Sequence, residues 1–149
     1  MAKNFEIEGL KELEKALLDL GPELGFKTLR SAGREAMKPV LASAQKNVHV
    51  DSGDTHDALA ISAKKGKGNT SVFINVGATK TKATKKQGGR KFVNVNQKVI
   101  AQEFGTKKQE ADPFLRPALE NNANKVLSGL KNSLADKIEK AAKKLAKGA

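Results

Sequence analysis

Between Pro113 and Lys147 the residues Leu119, Ala123, Val126, Leu130, Leu134, Ile138, Ala142 and Leu145 recur every three or four positions. That spacing puts them on one side of an α-helix for about seven turns. The pattern predicts a long C-terminal helix over 113–147, opened by Pro113 and Pro117, which suit a rigid turn and a helix start. Such a stripe has to be covered, either by elements of its own domain or, at near-heptad spacing, by another chain. Packing within the domain is expected for Leu119 to Leu130, with the helix projecting beyond Leu134 to fray or to meet a neighbour. Lys140, Lys143, Lys144 and Lys147 near its end complement the negative end of the helix dipole.

Two more helical patterns lie near the N-terminus. Leu10, Leu13, Leu17 and Leu20 share one face, with Lys11, Glu12, Glu14, Lys15 and Asp19 on the other, and Gly21-Pro22 ends the run. From about Glu23 to Val48 a second stripe consists of Leu29, Ala32, Ala36, Val40, Ala44 and Val48. Its small members, with Gly33, allow another backbone to come close, from the same subunit or a neighbouring one. Pro39 lies inside this pattern and predicts a kink or a break into two helices, because it lacks the N–H of the ladder and its ring crowds the preceding turn.

Strand patterns occupy the middle of the chain. Ser71 to Gly77 is rich in β-branched and aromatic residues, with Val72, Ile74 and Val76 on one side. Ala58 to Ser62 is its expected hairpin partner across the Lys/Gly connection 64–70. Further short strands are expected at Phe5–Glu8 and Phe92–Val95, a turn at Val50–Asp57, and a short helix through Val99, Ile100 and Phe104 stopping at Gly105. These elements predict an α+β fold, a small antiparallel sheet packed with N-terminal helices and the long C-terminal helix. With 149 residues the chain is expected to form a single domain.

The charge is concentrated. From Ala58 to Gln102 there is no Asp or Glu, but there are ten basic residues, which leaves 18 basic and 16 acidic residues in the rest of a chain of formal net charge +12. Six of the ten, Lys80, Lys82, Lys85, Lys86, Arg90 and Lys91, fall in the stretch 78–91, which has almost nothing to bury and is expected to be an exposed, flexible loop. They could contact phosphates through counterion release, dock on an acidic protein face, or simply be solvated. Sequence-specific readout is not expected, since no zinc-finger or helix-turn-helix spacing is present and the chain has no Tyr or Trp for base stacking.

Little in the sequence supports catalysis. There is no Cys, no Walker-type phosphate loop and no Gly-x-Ser-x-Gly elbow, and only two His residues are present. His49, Asp51, Asp54, His56 and Asp57 are the one cluster with metal-ligand chemistry, but their spacing fits neither an EF-hand nor a paired-His helix, and helix-stop and turn residues with exposed His beside them are the expected reading. The expectation is a non-enzyme without a cofactor or metal. No apolar run of about 18 residues is present and the first residues lack a signal-peptide hydrophobic region, so neither membrane insertion nor secretion by that route is expected.

Three segments carry a family resemblance: Ile7 to Leu13, Val50-Asp51-Ser52-Gly53, and Glu103-Phe104-Gly105-Thr106 followed by Ala111-Asp112-Pro113-Phe114-Leu115-Arg116-Pro117-Ala118-Leu119. In this order they resemble the small head-tail joining, or tail-completion, proteins of long-tailed bacteriophages. The last pair is the most specific part. The sequence departs from the family pattern at Ser52, at the inserted Asp54–Asp57 and across Gln97–Gln102, where an aromatic-rich lead is usual. The resemblance implies a virion protein of the neck, assembled in the bacterial cytoplasm. It would form a homo-oligomeric ring, sixfold in expectation, that completes the tail and joins it to the DNA-filled head. Neighbouring neck, connector and tail-tube proteins would be its partners, with packaged DNA in the channel. A tail terminator is a near neighbour of this reading, and a non-specific DNA-binding accessory protein is the alternative class. On the resemblance, Glu103, Phe104, Gly105, Thr106, Pro113, Phe114, Leu115, Arg116 and Pro117 make a rigid corner, with Arg116 expected to pair with a carboxylate or to cap carbonyls. The corner would serve either an interface or the architecture of the monomer itself.

Overall fold

A computed structural model describes residues 9–49, 54–69, 71–78 and 95–148. In chain order the elements are α1 (Leu10–Asp19), α2 (Pro22–Ala36), α3 (Lys38–Asn47), α4 (Asp54–Ala58), β1 (Leu59–Lys65), a 3-10 turn (Lys67–Asn69), β2 (Val72–Ala78), α5 (Val95–Phe104) and α6 (Leu115–Gly148). The architecture is α+β, with helices packed, among the described residues, around one two-stranded antiparallel sheet. The expected strand at Phe5–Glu8, the turn residues 50–53, the basic loop from 79 to 91 and residues 92–94 of the expected later strand lie outside the described residues.

The stripe of small residues organises the N-terminal half. Ala32, Ala36, Val40, Ala44 and Val48 are all buried, and Leu29 packs beside them. The helix carrying this stripe breaks at Met37, as Pro39 requires: a proline ring there would press on the carbonyl four residues back. The small residues serve contacts inside this chain. A Cβ on Gly33 would stand 2.9 Å from Ile74 Cγ1, so the side chain of β2 sits directly on α2. A Cβ on Gly129 would lie 3.9 Å from the Ala36 Cα, an ordinary contact that marks the close approach of α6 to α2.

The hairpin aligns Leu59 with Ala78 and Lys65 with Val72. Val72, Ile74 and Val76 turn toward the helices while Phe73 and Asn75 are exposed, as the alternation predicts. Its edges differ from the sequence expectation. β1 runs to Lys65 and Ala78 is a paired strand residue, because cross-strand hydrogen bonding carries both strands into the polar connections. Asp54–Ala58 forms one helical turn leading into β1, where a turn and a strand start were expected. Val95, expected at the end of a strand, is a buried residue in the first turn of α5.

The long helix also differs in detail. It starts at Leu115, so Pro113 and Phe114 precede it. Leu134, Ile138 and Ala141 are buried, so α6 stays packed well past the point where projection was expected; α1 and α2 cover this part, through Leu13, Leu17, Leu20 and Leu29. At the other end Ala118 and Asn122 face inward, while Leu119 is 48% exposed. Close packing against α3 selects the small residue there, and the buried Asn122 amide is satisfied by donating to the Ala118 carbonyl at 2.8 Å. In α1, Leu13, Ala16, Leu17 and Leu20 make the inner face, and Leu10 stands outside it with Leu18.

Two apolar clusters result, and the stripe of α2–α3 and the length of α6 run through both. One gathers Val40, Ala44, Val48, Leu59, Val95, Val99, Phe114 and Ala118 between α3, the sheet, α5 and the start of α6. The other gathers Ala32, Leu134 and Ile138 under the leucines of α1. An ion pair ties α2 to α6 outside them: Glu35 Oε2 accepts from Lys137 Nζ and from the Ser133 hydroxyl, both at 3.0 Å. The Lys137 hydrogen bond, reinforced by Ser133, holds the Glu35 carboxyl below its ordinary pKa.

Candidate functional site

The segments Glu103–Thr106 and Ala111–Leu119 fold into one unit. α5 ends at Gly105, whose φ of 75° lies in the left-handed region. A side chain would be blocked there for a second reason, since a Cβ would stand 2.9 Å from the Ala111 nitrogen and 3.1 Å from the Gln109 carbonyl oxygen. Thr106 N–H donates to the Gln109 carbonyl at 2.8 Å, closing a tight turn, and Asp112 N–H donates to the Gln102 carbonyl at 2.7 Å, bringing the chain back alongside α5.

This return places the start of α6 on the Glu103 carboxylate. Oε2 accepts from Phe114 N–H and Leu115 N–H, each at 2.9 Å, and Oε1 accepts from Arg116 N–H at 3.0 Å. The first four N–H positions of a helix have no partner within it. Here three of them are held by one carboxylate, and the fourth position is Pro117, which has no N–H to satisfy. Glu103 is only 7% exposed. Burial works against its ionisation, but the N–H groups of Leu115, Phe114 and Arg116, with the Arg116 charge behind them, outweigh it and hold the carboxyl below its ordinary pKa.

The residues expected to form the corner divide between buried and exposed positions. Phe114 is fully buried, and Leu115 and Pro117 are half-buried, while Phe104, Pro113 and Arg116 face outward. Arg116 contributes its backbone N–H to the cap; its guanidinium forms no salt bridge among the described residues. The carboxylate expected opposite the arginine side chain instead holds the helix backbone. Sequence spacing does not reveal this cap, because Glu103 lies eleven residues before Phe114 and a local capping box spans only three. The one available signal was an acidic residue next to a Phe-Gly turn, followed by a Pro-Phe-Leu-Arg-Pro helix start.

Outside the cap lies an apolar groove of about 450 Å³. It is lined by Met37 and Val40, by Ile74 and Val76 of β2, by Val99, Ile100 and Phe104 of α5, and by Leu115 and Leu119 of α6. Phe104 is 67% exposed and Ile100 57%, so large apolar side chains stand at its lip beside Arg116. A wider, charged depression of about 1040 Å³ lies across the molecule between Arg34, Lys38, Asp57 and Lys137.

Lys80, Lys82, Lys85, Lys86, Arg90 and Lys91 lie outside the described residues. Of the other basic residues in the acid-free stretch, Lys65 sits over the Phe26 ring, 5.2 Å from its centre. The remainder of the chain is not evenly neutral: α6 alone has eight basic and three acidic residues. Among the described residues no three potential metal ligands come together, and His56 Nδ1 lies 3.0 Å from Asp57 Oδ1 in an exposed contact. No helix among them is long and apolar enough to cross a membrane.

Fold and site together define a helical α+β chain with a capped corner and an apolar groove beside it. Neither a family model, nor a curated protein, nor a solved structure matches the chain.

Proposed function

We propose that this chain is a structural subunit of a bacteriophage neck, which completes the tail and joins it to the filled head as part of a homo-oligomeric ring. The observation that carries the proposal is the use made of the segments Glu103–Thr106 and Ala111–Leu119. The residues with the family resemblance build a fixed corner with Phe104, Ile100 and Leu119 displayed beside it, which is what a subunit making repeated contacts needs and what a catalytic cleft does not. Neck, connector and tail-tube proteins are the partners this reading requires, and the virion neck is its location. A tail terminator would use the same surface.

Electron microscopy of purified heads, tails and whole particles tests the proposal. Density for this chain at the head–tail junction, and unjoined heads and tails from a null mutant, are the expected results. Junctions that form normally without the chain would overturn it.

The acid-free stretch with ten basic residues favours a second reading, a DNA-binding accessory protein without sequence preference. Duplex binding by the isolated protein that weakens steeply with salt would support this class. Its absence, with retention on tails or connectors, would favour the structural subunit.

A further inference from the structure

We infer that the furrow along α2, α3 and α6, with the row of lysines that continues it on α6, is a seat for the phosphate backbone of duplex DNA, bound without sequence preference. The inference rests on the second reading above and moves its contact from the acid-free stretch to the described helices.

The furrow consists of two depressions with a common wall. The wider one is that between Arg34, Lys38, Asp57 and Lys137; the other, of about 320 Å³, lies between Pro39 of α3 and Lys125, Asp136 and Lys140 of α6. Glu35 and Lys137 line both, so their ion pair is the divide. Five cations, Arg34, Lys38, Lys125, Lys137 and Lys140, thus face three carboxylates, Glu35, Asp57 and Asp136. Glu35 is committed to Lys137 and Ser133, and Asp57 has His56 beside it, which leaves Asp136 alone to oppose the remaining cations. Lys38, Lys125 and Lys140 form no ion pair among the described residues. Arg34 donates to the Ile61 carbonyl at 3.3 Å, which holds the guanidinium beside β1 without neutralising it.

The positive charge continues along the helix. Lys137, Lys140, Lys144 and Lys147 follow at spacings of three, four and three, which sets them on one side of α6. Lys144 and Lys147 are exposed and form no ion pair among the described residues, whereas Lys143 is tied to Glu139. At 1.5 Å per residue the helix runs about 33 Å from Lys125 to Lys147, close to one turn of a DNA duplex.

Shape selects the ligand. Cations set along the walls of a furrow and in line with a straight helix lie within reach of a rod of regularly spaced phosphates, while a flat anionic bilayer meets the ridges and not the recess. No aromatic ring lines either depression, so base stacking is not offered and the contact is with the backbone, driven by counterion release. The divide adds a built-in competitor. A phosphate that enters it takes Lys137 from Glu35.

The test is binding of the full-length protein to a fluorescent duplex of about two helical turns, followed as a function of salt. Lys38→Gln with Lys140→Gln should flatten the dependence of log affinity on log salt by about two, one for each lost phosphate contact. Lys11→Gln with Lys15→Gln removes the same charge on α1, away from the furrow, and should leave the slope unchanged. Glu35→Gln keeps a partner for Ser133, frees Lys137 and should strengthen binding and steepen the slope by about one. Equal losses from the two lysine pairs would mean that net charge and not the furrow binds, and unchanged or weaker binding by a folded Glu35→Gln variant would remove the divide from the site; either overturns the inference, as would tighter binding to phosphatidylserine vesicles than to the duplex. The reading beneath it fails differently. No duplex binding by the wild-type chain at low salt would remove the DNA-binding class itself, whereas binding that survives Lys38→Gln with Lys140→Gln and is lost when Lys80, Lys82, Lys85 and Lys86 are changed to Gln would keep that class and remove the furrow.

Discussion

The two ends of α6 are held in different ways. At its start the core has a fully buried Phe114, a cluster of β-branched residues and a carboxylate that accounts for the free N–H groups of the helix. Toward its far end Leu134 and Ile138 lie under the half-buried leucines of α1, with one exposed ion pair beside them. The first end is fixed by a buried aromatic ring and by a carboxylate on the helix backbone; the second is helix lying on helix, with the Glu35 contacts to Lys137 and Ser133 beside it. Exposed apolar residues mean different things in these settings. Phe104 stands on a corner fixed by the Glu103 cap, and Leu18 on a helix held by its apolar inner face of Leu13, Ala16, Leu17 and Leu20.

If this contrast is correct, Phe114→Ala should be the most damaging of a set of single substitutions. It removes the largest fully buried side chain and leaves a cavity beside the sheet, at an expected cost of about 3–5 kcal/mol, read as a fall in the denaturation midpoint. Glu103→Ala should cost about 2–3 kcal/mol by leaving three N–H groups without their acceptor. This loss should also depend on pH. Because the folded carboxyl titrates below its ordinary value, its contribution is complete above the unfolded pKa of about 4.3 and disappears as pH falls through the lower folded value. Denaturation followed from neutral pH into the acid range should therefore show wild type losing stability toward the variant, with the two curves converging below that value; parallel curves would break the assignment.

Leu134→Ala, in the cluster under α1, should cost about 2 kcal/mol, toward the lower limit for such changes because the half-buried leucines around it can close in. A cost equal to that of Phe114→Ala would erase the distinction between the ends. Leu18→Ser should change folding stability by no more than about 0.5 kcal/mol, since the side chain is mostly in water. Any larger loss in the monomer would mean that α1 uses its outer stripe internally.

The sequence made the periodic parts of this molecule legible and left the long-range parts hidden. The stripe from Ala32 to Val48 is buried residue for residue because a helix face is a local property, and the break at Met37 follows from one proline ring. The alternation of Val72, Ile74 and Val76 was equally local. The long helix was legible as a helix, but its inner face was not: hydrophobicity points to Leu119, whereas close approach to α3 selects Ala118 and Asn122. Periodicity told Leu17 from Leu18 correctly but placed Leu10 on the inner face, where the structure leaves it outside. The cap was hidden for the same reason, since nothing in Glu103 itself says that a turn at Gly105 will bring Phe114, Leu115 and Arg116 back to it. The groove residues are scattered over four elements and became a site only when those elements met.

Pro117 at the start of α6 carries a consequence for any encounter with DNA. With three N–H groups already committed to Glu103 and the fourth missing, the positive end of this helix offers nothing to a phosphate, although helix starts are common anion sites. Any hold that α6 has on a polyanion must come from its side-chain cations, which are gathered mainly at the opposite end, at Lys137, Lys140, Lys143, Lys144 and Lys147. The backbone of the helix is thus closed to anions where it is anchored, leaving Arg116 as the side-chain cation there, and any grip on nucleic acid would be one that salt dissolves.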